Sequence, residues 1–185
     1  GDPRRIAEVP VVELEGLMAD RGGLITLDQA LDSFPGLRFN LDAKAPGVAP
    51  AMGRAIVDHG ARVLVASFSD ERRRDVLAAA AAAGASQRPA TSAGTATIGR
   101  LLAALLLRSE RLVARALTGI DALQIPERHG RVRVLTPRLI EAAHRHAVEV
   151  HVWTVNAPTE MRRLVDMGVD GIVTDRADVA LETLR

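Results

Sequence analysis

No cysteine, no tyrosine and a single tryptophan occur in the 185 residues, and aromatic side chains make up only 2% of them. A disulfide scaffold is therefore excluded. Charge of one sign is missing too: 24 basic and 23 acidic residues are mixed along the chain for a net charge of +1, so nucleic acid is not an expected partner. Long apolar runs are absent. Residues 76–83 and 101–107 are the longest, well short of the roughly 18 a membrane span needs, and read as helices packed on a core. No basic stretch followed by an apolar one opens the chain, so no secretory leader is expected and the cytoplasm is the default location. What is present, 48% hydrophobic and 25% charged residues, is the composition of a globular domain, and no internal linker breaks residues 1–185 into more than one.

Scarcity also points to particular positions. Lys44 is the only lysine among the 24 basic residues, Trp153 is the only tryptophan, and asparagine occurs only at Asn40 and Asn156, close to those two. A bias toward arginine that is resisted at one position suggests a compact ammonium that a guanidinium cannot replace.

Short apolar segments alternate with longer helical patterns. Strands are expected at 37–43, 62–67, 121–125, 148–155 and 171–174, with a weaker one at 86–91. Helical patterns run over 50–58, 70–83 and 158–167, ending at Gly60, Gly84 and Gly168, each suited to a left-handed closing position. Thr26, Ser69, Thr136 and Asn156 read as helix caps. A short helix is expected at 11–18, two more lie within 101–117 on either side of 108–111, and 85–99 reads as a loop. Repetition of strand, helix, glycine and strand implies a parallel sheet with right-handed crossovers. Periodicity alone favours an open doubly wound sheet over an eight-stranded barrel, yet no glycine-rich phosphate loop follows any strand.

The chemistry-bearing residues cluster at strand ends. In LRFNLDAK, Asn40, Asp42 and Lys44 share one face of a strand while Phe39, Leu41 and Ala43 share the other. A carboxylate and an ammonium at the C-terminal end of a parallel strand suit a metal ligand beside a phosphate-binding cation; a salt bridge at a sheet edge accounts for them equally well. In HVWTVN, His151, Trp153 and Val155 share a face, and the indole either walls a substrate pocket or fills a core. Asp175 in GVDGIVTDR reads as a helix cap before it reads as catalytic. Ser67, Ser69, Gln124 and Glu127 lie at strand ends that open on the same side. The histidines, His59, His129, His144, His146 and His151, form no metal-spaced pair, and no Ser-His-Asp or Cys-His arrangement is legible.

NLDAK, VASFS, HVWTVN and GVDGIVTDR, in that order and spacing, resemble the glycerophosphodiester phosphodiesterase family. The resemblance runs from the RIAEV and TLDQAL segments to the C-terminus. It implies a TIM (β/α)8 barrel and metal-dependent hydrolysis of glycerophosphodiesters to glycerol 3-phosphate and an alcohol. By the family's pattern Asp42 is a metal ligand for Mg2+ or Ca2+, with a shorter carboxylate than the usual glutamate, Lys44 contacts phosphate and Trp153 binds substrate. The family's AHRG strand, ENT-type motif, ExD strand and HD motif do not occur here. The resemblance thus implies about six βα units with the first two missing, no catalytic histidine in this chain, and inactivity of the chain alone. One aspartate with an amide and waters would hold a hard cation weakly.

Open barrel edges would invite self-association. Two other readings are a non-catalytic phosphate-binding module that retains Lys44, and an aldolase-type barrel with Lys44 as Schiff-base lysine, against which a charged Asp42 two residues away argues.

Overall fold

The computed structural model describes residues 3–185, which fall into two compact units divided after Leu37. In the first, α1 (Val11–Met18) covers the expected helix, and α2 (Leu27–Ser33) follows a 3-10 turn at Ala19–Arg21. Thr26 caps α2 as expected: its hydroxyl accepts from the Gln29 N–H at 3.3 Å while Gln29 Oε1 accepts from the Thr26 N–H at 2.9 Å.

The second unit, Arg38–Arg185, alternates strand and helix. Its order is β1 (Phe39–Asp42), α3 (Ala49–Ala55), β2 (Val63–Ala66), α4 (Asp70–Ala82), β3 (Ala90–Thr91), α5 (Thr95–Leu106), α6 (Glu110–Leu117) and β4 (Ala122–Ile125). A small antiparallel hairpin, β5 (Arg128–His129) with β6 (Val132–Arg133), precedes α7 (Pro137–Arg145), β7 (Glu149–Val152), α8 (Pro158–Asp166), β8 (Gly171–Ile172) and α9 (Ala177–Thr183). All six expected strands form. The segment read as a loop at 85–99 holds β3 and the start of α5.

Strands β1, β2 and β3 pair in parallel, as do β4, β7 and β8. One parallel bridge between Ser92 and Ala122 joins the two sets, backed by Asp121 N–H to Thr91 O (2.9 Å) and Ala93 N–H to Ala122 O (3.0 Å). The parallel strands therefore lie in chain order, β1-β2-β3-β4-β7-β8, with β1 and β8 at the open edges among the described residues. A doubly wound sheet reverses its order at a switch point; this one never does, and its single-direction winding is that of a barrel wall that does not close.

The core lies between the β4/β7 sheet and α5 to α8. Leu101, Val113, Leu123, Ile125, Leu139, Val150, Met161 and Leu164 are all fully or almost fully buried in it. In α4, Val76 and Ala80 are likewise buried, but the run at 101–107 ends with Leu106 and Leu107 exposed, where α5 breaks before Ser109 caps α6.

Gly84 and Gly168 adopt the expected left-handed conformation at φ 95° and 96°. Gly60 does not. The helix before it ends at Ala55, a 3-10 turn carries the chain through Val57–Arg62, and Gly60 is small because a Cβ there would stand 2.2 Å from the Gln87 carbonyl oxygen. Ser69 and Thr136 cap α4 and α7 as expected.

Candidate active-site cleft

A cavity of about 330 Å³ opens at the C-terminal ends of the parallel strands, and every one of the six contributes to its lining. Asn40, Asp42 and Lys44 come from β1 and the residues after it, Ser67 and Phe68 follow β2, Ser92 and Ala93 follow β3, Gln124 belongs to β4, Trp153 and Thr154 follow β7, and Val173 follows β8. The alternation along β1 is as expected, with Asn40 and Asp42 more exposed than Phe39 and Leu41, and Ala43 fully buried. Asp42 and Lys44, near neighbours in the chain, and Trp153, distant from both, thus line one cleft.

Ala43 is the fixed point between Asp42 and Lys44. Its N–H donates to the Ala66 carbonyl at 2.8 Å, and its own carbonyl accepts from Ser67 Oγ at 2.8 Å and from Arg72 at 3.3 Å. Ser67 is thereby committed to holding β1 against β2, and it accepts from the Ser69 N–H at 3.2 Å as well. Lys44 Nζ lies 3.7 Å from Asp42 Oδ2, with the lysine 78% and the aspartate 35% exposed. The edge salt bridge and the cleft position are both realised: an exposed pair of this kind contributes about 0–1 kcal/mol, so it does little to stabilise the fold.

Phe68 is the contributor that the sequence reading passed over. Its ring meets Trp153 edge-to-face, with centroids 6.1 Å apart and planes at 84°, although the phenyl is 65% exposed. A signal existed: Phe68 is one of only three phenylalanines, set between a strand end and a helix cap. Asp70 was also missed. It is buried beneath this wall and accepts from the Gly94 N–H (3.1 Å), the Thr97 N–H (3.0 Å) and Thr97 Oγ1 (2.7 Å), so that α4 supplies the N-terminal cap of α5, whose own cap residue, Gly94, has no side chain. Burial pushes the Asp70 carboxyl up, but the hydrogen bonds from Thr97 and Gly94 and the charge of Arg73 outweigh it and hold the group below its ordinary value.

Other expected residues lie elsewhere. Asp175 is not a helix cap, because α9 begins after Arg176; its carboxylate accepts instead from Asn156 Nδ2 at 3.1 Å. Asn156 does not cap α8, whose cap position is Ala157; its Oδ1 accepts from Thr174 Oγ1 and from the Asp175 N–H, both at 2.9 Å, tying the β7 and β8 loops together. Ser69 caps α4, and Glu127 pairs with Arg163 at 2.6 Å. His151 lines a second hollow nearer the N-terminal strand ends, 2.9 Å from Glu149, while His144 pairs with Asp170 at 2.8 Å.

Among the described residues, Asp42 is the one carboxylate on the candidate cleft and no histidine lines it. Among the described residues no three His, Cys, Asp or Glu side chains converge as a metal site, and the oxygen nearest Lys44 is already shared with an ammonium. This donor set does not by itself fit a divalent cation that takes six or more oxygens. No helix among the described residues is long and apolar enough to cross a membrane.

The fold and its motifs have clear relatives. The chain is 39% identical over 161 residues to the "Probable glycerophosphodiester phosphodiesterase 2" of Mycobacterium tuberculosis, a match covering 86% of this chain and 59% of that protein. It thus spans about three fifths of that relative's length. Among solved structures, a phosphodiesterase of Oleispira antarctica in complex with sn-glycerol-3-phosphate superposes with a TM-score of 0.66 at 16% identity, covering 98% of this chain and 72% of that one. A glycerophosphodiester phosphodiesterase of Thermotoga maritima gives the same TM-score and coverage at 19% identity. At that identity the likeness shows the fold alone. Residues 4–179 match the Glycerophosphoryl diester phosphodiesterase family, and with a barrel-type wall whose strand ends carry the resembling motifs, the chain belongs to that family.

Proposed function

We propose that the cleft binds a glycerophosphodiester and belongs to an enzyme that hydrolyses it, water adding across the bond between phosphorus and the alcohol oxygen. The observation that carries the reading is the meeting of Lys44, Asp42 and Trp153 in one cavity at the C-terminal strand ends. Lys44 offers an exposed ammonium to a phosphate oxygen, Trp153 and Phe68, set edge-to-face, give the carbon skeleton an apolar corner, and Asp42 is one ligand toward a divalent cation, Mg2+ or Ca2+. Residues 1–185 serve as one partial barrel domain of about six βα units. The remaining ligands and the general acid come from outside this chain, from two further βα units that pair with the open edges of β1 and β8. Absent those units, the same edges favour self-association.

The chain alone, on this reading, binds without turning over. A non-catalytic phosphate-binding role is the second reading, favoured by a cleft that among the described residues has one carboxylate and no histidine. The Schiff-base reading is disfavoured because Lys44 is exposed and faces Asp42 rather than the desolvated pocket that activates such an amine.

Glycerophosphocholine hydrolysis by the chain at verified mass, with Mg2+ or Ca2+ and with EDTA, tests the proposal together with glycerol 3-phosphate binding. Saturable binding lost in Lys44→Ala, no turnover alone, and turnover restored by an added N-terminal segment are expected. EDTA-sensitive turnover by the chain alone would overturn the partial-site account; absence of restoration would favour the non-catalytic reading.

A further inference from the structure

A second cavity, about 490 Å³, adjoins the cleft and shares Phe68, Ala93, Gln124 and Trp153 with it. The Phe68–Trp153 contact therefore stands on the boundary between the two. Their linings differ sharply. Where the cleft presents Asp42, Lys44 and Asn40, the second cavity is walled by Ile98 and Leu102 of α5, Ile125 at the end of β4, and Val132 and Val134 of the hairpin segment, with His129 as its one titratable side chain among the described residues. Its size falls within the range of small-molecule sites.

An ammonium at one end and an aliphatic chamber at the other match an amphiphile with an anionic head. Water gains little in the aliphatic part, whereas each methylene removed from water there is favourable by an amount equivalent to about fourfold in affinity at full burial. We infer that the cavity is a subsite for one apolar chain, so that the phosphodiester taken by this cleft carries an alkyl or acyl chain rather than only small polar groups. The inference rests on the phosphodiester reading of the cleft and names its substrate class.

Chain attachment has two sources, the alcohol that leaves or the glycerol that stays with phosphate, and both present the same chemistry to the cavity. Trp153 is the only tryptophan in a chain without tyrosine, so intrinsic fluorescence reports the shared wall of the two cavities. One probe series comprises the butyl, hexyl and octyl diesters of glycerol 3-phosphate; a second carries the same chains as ethers on the glycerol. Both are titrated below their micelle thresholds against unsubstituted glycerol 3-phosphate.

Affinity is expected to rise by about two- to fourfold per methylene in at least one series, and the series that responds identifies the attachment point. Gly99 lies in α5 on the cavity lining, and a Cβ there meets nothing within 4 Å. Gly99→Glu introduces a carboxylate at this lining position, where the backbone leaves room for a Cβ, and should abolish the chain-length dependence while leaving glycerol 3-phosphate affinity unchanged. Val132→Glu, on the exposed hairpin, should do the same. Affinity flat with chain length in both series overturns the inference, as it would if a second copy of the chain or another protein closed the cavity. A chain-length dependence untouched by both variants also overturns it. Loss of glycerol 3-phosphate binding would instead refute the reading of the cleft, and the two failures are distinguishable because the chain-length slope and the head-group affinity are measured separately.

Discussion

Replacing Asp70 by alanine should be among the most damaging single changes in the chain, although Asp70 does not line the candidate cleft. Asp70 and Arg73 are 8% and 6% exposed, and the guanidinium has Asp70 at 3.6 Å and Thr91 Oγ1 at 3.2 Å, while its Nε has no partner among the described residues. Removing the carboxylate leaves a buried cation without its charge partner, a loss typically of about 3–5 kcal/mol. It also strips the acceptor from the Gly94 and Thr97 N–H groups, each worth about 1–3 kcal/mol when left unsatisfied. These overlap because one group makes all the contacts, so the expected total is about 3–5 kcal/mol, a large part of the stability of a typical domain. Asp70→Asn keeps one acceptor oxygen and should cost less, about 1–3 kcal/mol. Urea denaturation read by Trp153 fluorescence and far-ultraviolet dichroism measures both. The Asp70 carboxyl is held below its ordinary value in the folded state, so its contribution is present above the unfolded-state value and is lost as pH falls through the folded-state value. The gap between wild type and Asp70→Ala should accordingly narrow below about pH 4. A cost under about 1 kcal/mol for Asp70→Ala, or a gap independent of pH down to acid unfolding, would refute the argument.

Two further perturbations test the frame around the cleft. At Gly171, a Cβ would stand 2.6 Å from His151 Cδ2 and 2.9 Å from its Cγ, so Gly171→Ala should displace the imidazole and destabilise by about 1–3 kcal/mol in the same denaturation assay. Asn156→Ala removes three hydrogen bonds between the β7 and β8 loops; a loss of about 1–2 kcal/mol and weakened glycerol 3-phosphate affinity are expected, the latter checked by Trp153 fluorescence.

Strands were legible because short apolar runs bounded by turn residues leave a direct trace, and all six appear; only β1 alternates in burial, β2 and β4 being covered on both faces. Caps were legible where a hydroxyl serves its own helix, as at Thr26, Ser69 and Thr136. They failed where the partner is distant in sequence. Asn156 looks like a local cap but bonds eighteen and nineteen residues away, and the cap of α5 is Asp70, twenty-four residues before Gly94. Gly60 failed for the same reason, since what it avoids is the carbonyl of Gln87. Scarcity gave a signal for the site independent of periodicity: the unique lysine and the unique tryptophan line one cleft. Phe68 escaped because a single aromatic in a loop carries no period, and only the tertiary fold brings the segment after β2 to the segment after β7, where its ring meets Trp153.

The winding of the sheet connects these residues to the division of labour proposed for the cleft. Strand order follows chain order, so the two unpaired edges are the first and last strands, and both reach the cleft, β1 through Asn40 and Asp42 and β8 through Val173 just beyond it. Trp153 follows β7, which is paired on both sides, and is correspondingly held by packing; Asp42 and Lys44 stand at an edge with only Ala43 anchored between them. On the proposed reading, a strand added beside β1 would pair its backbone groups and bring new side chains to the same rim as Asp42. Lysine exposure should then fall on reconstitution with the N-terminal segment. Acetylation of Lys44, the chain's sole lysine ε-amine, followed by mass spectrometry measures this directly, and an unchanged labelling rate on restoration of activity would show that the added segment completes the site from elsewhere than the β1 edge.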